Sequence, residues 1–226
     1  MDLVLADAEA QVWRASLDAD GPAREALARA LSDDERARAD RFRFARDRHR
    51  FVAGRGILRV ILARYLASSP PRIRLRYGPW GKPMLAPEPG APDLRFNVSH
   101  ADGLVLVAIA RGREIGVDVE RIAPERATAA MIARCLTHRE GAALRRLPPE
   151  KQPAAFFRCW TRKEAVLKGR GEGLTLLPRS VEVSPDEDGP PAVVAIAGDA
   201  AEASRWSLRD LAPAVGYVGA LAVDAP

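Results

Sequence analysis

The chain predicts an α+β fold built from two similar halves, residues 1–112 and residues 113–226, each a small antiparallel sheet packed with helices. Three observations predict it. A helical apolar period followed by short strands occurs early in the chain and again late. Gly- and Pro-rich turns keep every strand short, and the middle of the chain, from Leu104 to Glu120, runs strand, turn, strand.

Taken in order, Ser32 followed by Asp33, Asp34 and Glu35 reads as an N-cap with acids in the first helical turn, where they complement the helix dipole. From Phe51 to Leu66 the apolar residues Leu58, Ile61, Leu62, Tyr65 and Leu66 recur at spacings of three and four, which predicts a helix with Arg55, Arg59 and Arg64 off its buried stripe. Ser68-Ser69-Pro70-Pro71 stops it. Residues 72–77 alternate basic and apolar, the period of a strand, and Leu94–Val98 and Leu104–Ala110 read as two more. Arg111-Gly112-Arg113-Glu114 reads as the tight turn of a β-hairpin leading into Ile115–Glu120. Helices are expected over 127–136 and over 153–169, the second with Pro at its start and Gly at its end, and strands over 180–183, 192–196, 205–211 and 217–223.

With 226 residues, 47% hydrophobic and 29% charged, the chain can bury a core. Met1 to Asp20 carries acids and no basic stretch leading into an apolar run, so no leader is read there, and the longest apolar run is far too short to cross a bilayer. A cytoplasmic protein is expected. The two cysteines, Cys135 and Cys159, lack metal or redox spacing and read as packing residues, and the three histidines are scattered. A metal would therefore need oxygen ligands. Between Ser32 and Leu66 lie ten arginines against five acids, which accounts for the whole net charge of +5 and suits an anionic partner: nucleic acid, a phosphorylated cofactor or an acidic protein.

The sharpest local feature is Ile115-Gly116-Val117-Asp118-Val119-Glu120. In a strand, Asp118 and Glu120 point to the face opposite Ile115, Val117 and Val119, so two carboxylates sit side by side. They repel unless a cation lies between them, and Mg2+ suits an all-oxygen site. In the later helix Glu164 and Lys168 stand one turn apart, a pair worth only about 0.2–0.5 kcal/mol alone. Beside the strand acids, however, Glu164 completes a three-carboxylate set with Lys168 placed for a phosphate. Ser99-His100 at a strand end is a further candidate for phosphate contacts, and the stiff turn Tyr77 to Pro83 projects one lysine, Lys82. The same acids and lysine also describe a metal-dependent nuclease, although Glu164 and Lys168 stand four apart on a helix rather than two apart on a strand, and the arginines describe a nucleic-acid-binding module, which leaves the three acids without a role.

Gly81-Lys82-Pro83, Phe96-Asn97-Val98-Ser99-His100, Gly116 to Glu120 and Phe157 to Lys168, in that order and spacing, resemble the 4'-phosphopantetheinyl transferases of the surfactin-synthetase-activating type. The resemblance spans about residues 30–183. It implies a pseudo-dimer with coenzyme A in the cleft between the halves, Mg2+ on its pyrophosphate, and transfer of phosphopantetheine to a serine of an acyl or peptidyl carrier protein, releasing 3',5'-ADP. It further implies a monomer that acts on neither nucleic acid nor membrane. Residue by residue it implies Asp118, Glu120 and Glu164 as metal ligands and Lys168 at the pyrophosphate. Ser99, His100, Lys82, Arg50 and Arg38 would contact the cofactor. Glu140, or a water on the metal near Glu120, would take the serine proton. Glu35 stands where the family often has a basic residue.

Overall fold

The computed structural model describes residues 3–6, 9–171, 176–185 and 189–225. Its first half runs β1 (Ala10–Ser16), α1 (Gly21–Arg29), α2 (Asp33–Ala39), α3 (Ala45–Tyr65), β2 (Leu75–Tyr77), β3 (Pro83–Leu85), β4 (Leu94–Ala101) and β5 (Leu104–Arg111). The second runs β6 (Ile115–Arg121), α4 (Ala129–Cys135), α5 (His138–Arg146), α6 (Gln152–Arg170), β7 (Val181–Val183), β8 (Val193–Ile196), α7 (Ala200–Ser204), β9 (Trp206–Leu211) and β10 (Tyr217–Asp224). The halves share one plan. Each has a three-stranded antiparallel sheet in which the first strand pairs with the last and the last with the one before it: β1-β5-β4 and β6-β10-β9. Each also has one long helix, α3 or α6, and a two-stranded ribbon, β2-β3 or β7-β8.

The expected hairpin at residues 111–114 is corrected. β5 pairs with β1 on one edge and β4 on the other, while β6 pairs with β10. Both edges of β5 are thus taken, and Gly112, in the left-handed region at φ 62°, turns the chain into the other sheet. What joins the halves is a core: Leu106, Ala108 and Ala110 of β5 pack on Ile115, Val117 and Val119 of β6 and on Leu221 and Val223 of β10. The opposite side of β5, Val105, Val107 and Ile109, packs on Leu58, Ile61 and Leu62 of α3. β5 therefore reads as an unbroken apolar run because it is buried on both faces.

Ser32 does head α2, with Glu35 closing a capping box on its amide. Glu35 is itself buried and ion-paired with Arg59, whose guanidinium also donates to the carbonyls of Pro70 and Ile73 and to Ser32 Oγ. This corrects the placement of Arg59 outside the stripe: enough oxygens surround it to bury a charge. It also accounts for the acid at position 35, which faces inward. α3 starts at Ala45, ahead of the expected Phe51, and of residues 72–77 only Leu75–Tyr77 are strand, Pro70–Arg72 forming a turn of 3-10 helix. Both cysteines are buried, and burial pushes their thiols up to about 11, which leaves them inert at neutral pH. Among the described residues no helix is long and apolar enough to cross a membrane.

The site depends on how closely α6 lies on β6. A Cβ added to Gly116 would stand 1.9 Å from the carbonyl oxygen of Ala165 and 2.4 Å from the amide nitrogen of Gly169, both backbone atoms that cannot swing aside. Only glycine permits this approach. Gly116→Ala is expected to cost about 3 kcal/mol or more, the upper end of overpacking effects, read as a lowered urea midpoint at unchanged slope.

Candidate active site

β6 presents Asp118 and Glu120 to α6, which presents Glu164 and Lys168 in return, and β4 supplies Asn97, Ser99 and His100 from the other half. The Lys168 ammonium donates to Asp118 Oδ1 at 2.6 Å and to Ser99 Oγ at 2.8 Å, while the Ser99 hydroxyl donates to the same Oδ1 at 2.8 Å. Lys168 bonds Asp118 here although it stands one helical turn from Glu164. Glu120 lies at the outer side of the cluster, its Oε2 accepting from Arg126 at 3.2 Å. Burial and the neighbouring Asp118 charge push both Glu120 and Glu164 above the ordinary carboxylate range. Burial and the charges of Lys168 and Arg50 hold His100 below its ordinary value.

The donor set suits a hard divalent cation. Asp118 Oδ2 is buried with no hydrogen-bond partner, and three carboxylates share one field with Lys168 and, at its outer side, Arg126. Among the described residues no three His, Cys, Asp or Glu side chains are gathered at ligand geometry; Lys168 holds Asp118 instead.

The remaining predicted residues lie around or away from this cluster. Arg50 is bidentate on Asp18, at 2.9 and 3.1 Å, with its charge felt at His100. Lys82 ties its turn to the second half, donating to the carbonyl of Gly169 at 2.9 Å and to Glu114 at 3.2 Å. Arg38 stacks on the ring of Phe51. Glu140 is elsewhere in role. It is 1% exposed, caps α5 by accepting from Thr137 N at 2.7 Å, accepts from Val183 N at 2.8 Å and pairs with the buried Lys163 at 2.6 Å. A carboxylate with both oxygens bonded and no solvent access cannot take a proton from an incoming hydroxyl, which corrects its reading as the base.

Sequence reasoning also passed over Arg162 and Lys163 within the Trp160 to Lys168 run. Both are fully buried, Arg162 bidentate on Asp210 at 2.8 and 2.6 Å, and they anchor α6 to β9 and α5. The run thus alternates anchors with site residues. The strand positions of the first half that match the acid pair carry no acids: by register Trp13 takes in β1 the place of Asp118 in β6, and Ala15 that of Glu120.

An acid cluster with one lysine thus lies at the seam of two α+β halves of like plan, a set of side chains compatible with phosphoryl chemistry. Residues 114–222 match the model of the 4'-phosphopantetheinyl transferase superfamily, and residues 19–111 match that of the 4'-phosphopantetheinyl transferase N-terminal region. The chain is 40% identical to the 4'-phosphopantetheinyl transferase HetI of Nostoc sp. over 98% of its own length and 90% of the relative's. It is 29% identical to the 4'-phosphopantetheinyl transferase Sfp of Bacillus subtilis, over 70% of this chain and 68% of that one. The chain belongs to the 4'-phosphopantetheinyl transferase family, and is a transferase.

Proposed function

We propose that this enzyme moves the phosphopantetheine arm of coenzyme A to the serine hydroxyl of an apo carrier protein, acting as a monomer with Mg2+. The observation that carries the reading is the Asp118-Ser99-Lys168 contact, with Glu120 and Glu164 in the same field, set where the two halves meet. Asp118, Glu120 and Glu164 would hold the ion, which when bound supplies neutralising charge to the pyrophosphate. Residues 1–112 would hold the adenosine and 3'-phosphate side, with Arg50, Arg38 and Lys82 contributing, and residues 113–226 the reacting side.

In the transfer the serine oxygen forms a bond to the phosphorus that bears pantetheine, and the bond from that phosphorus to the bridging oxygen breaks. The product 3',5'-ADP leaves with that electron pair. Lys168 releases Asp118 to meet the charge that gathers on the leaving phosphate, with Ser99 and His100 beside it. With Glu140 buried, the serine proton would pass to a water beside Glu120, whose carboxylate pairs with Arg126 at the outer side of the cluster.

Calorimetric titration of coenzyme A tests the cofactor part directly. Saturable binding that tightens on adding Mg2+ is expected. Absence of binding in both conditions would overturn the reading.

A further inference from the structure

β4 and β6 are edge strands of different sheets, yet they lie side by side, and no backbone ladder joins them. The amides of β6 alternate in direction. In antiparallel pairing with β10 only every second one can enter that ladder, which leaves those of Val117 and Val119 facing β4. Side chains satisfy them. Asn97 Oδ1 accepts from Val117 N at 3.0 Å and Ser99 Oγ from Val119 N at 3.3 Å. Asn97 is buried, and these two bonds fasten the backbone immediately before and after Asp118.

We propose that Asn97 is a positioning residue for the transfer site: from one half of the molecule it fixes the strand of the other half that carries Asp118, and thereby sets where the acids stand relative to Lys168. The inference rests on the transferase reading. Ser99 is already part of the cluster, so Asn97 is the residue of the seam that acts only through the backbone. A carboxamide fits this task, since it reaches an amide across the gap between two sheets without adding charge beside Asp118. A leucine there would fill the same volume but leave Val117 N–H buried and unbonded.

The test compares Asn97→Leu with Asn97→Ser, which keeps an uncharged acceptor oxygen of the kind Ser99 offers Val119 N, by the Mg2+ concentration for half-maximal transfer and by kcat at saturating coenzyme A. For Asn97→Leu the Mg2+ requirement is expected to rise and kcat to fall by about 10–100-fold each, the scale on which supports of a metal site act, with KM for coenzyme A within about twofold. Asn97→Ser is expected to recover most of both. An Asn97→Leu enzyme whose melting temperature drops while its Mg2+ requirement and kcat stay put would reduce the residue to a structural one and overturn the proposal. Amide exchange in the wild-type protein reads the same contact independently of activity. Val117 is expected to exchange as slowly as amides inside the β6-β10 ladder, and exchange as fast as in an open strand edge would overturn the proposal even if both variants failed to fold. A wild-type protein that transfers nothing would instead count against the function, leaving the seam to be judged by the exchange data.

Discussion

Glu164→Gln is expected to lower transfer by on the order of 10³-fold while raising the melting temperature of the metal-free protein. The first effect follows from removing one of three acids, and losses of this size accompany removal of a single preorganised electrostatic group. The second follows from burial and Asp118, which push the Glu164 carboxyl above its ordinary value, so its charge is unfavourable in the folded state. The sign is fixed by linkage. A carboxyl whose folded pKa is raised contributes no penalty below its unfolded pKa and an increasing one as pH rises through the folded value. The stability gained by the variant should therefore be small near pH 4, grow as pH rises and persist at neutrality. Mg2+ should stabilise the wild type more than the variant. Thermal melts across pH, with and without Mg2+, check this; a variant less stable than wild type at neutral pH without metal would show that the acids do not strain one another.

Glu140→Ala is expected to cost about 3–5 kcal/mol of stability, the range for leaving one member of a buried ion pair uncompensated. Lys163 would be the stranded charge: it is fully buried, and its other acceptors are the carbonyls of Pro178 and Val181. The milder Glu140→Gln keeps acceptors for Val183 N or Thr137 N and should yield enough folded protein for kinetics. Its kcat per folded molecule is expected to stay within a few-fold of wild type. A folded Glu140→Gln enzyme with kcat down by 10³-fold would restore the base role that burial argues against.

The elements that sequence shows well are those whose pattern follows from their own burial. The stripe of α3, the doubly buried run of β5 and the alternation of β6 all appear in the order of residues. β1 was missed because its side chains are mostly half-buried along Ala10–Ser16, which leaves no clean alternation, and α1 because it buries no residue fully. Asp118, Glu120, Glu164 and Lys168 could be read from strand and helix periodicity. Their common field could not, since it depends on the close approach at Gly116, a contact between segments about fifty residues apart. The same limit explains Arg59 and Glu140. Each is a charged residue whose partner, Glu35 or Lys163, lies more than twenty residues away, and no local pattern distinguishes a buried ion pair from an exposed charge.

The most direct measurement is the intact mass of apo carrier proteins incubated with this enzyme, coenzyme A and Mg2+, alongside matched samples containing EDTA. A gain of one phosphopantetheine on a carrier, absent with EDTA and absent when the carrier's acceptor serine is replaced by alanine, is the predicted result. A carrier panel left unmodified by folded enzyme would contradict the account.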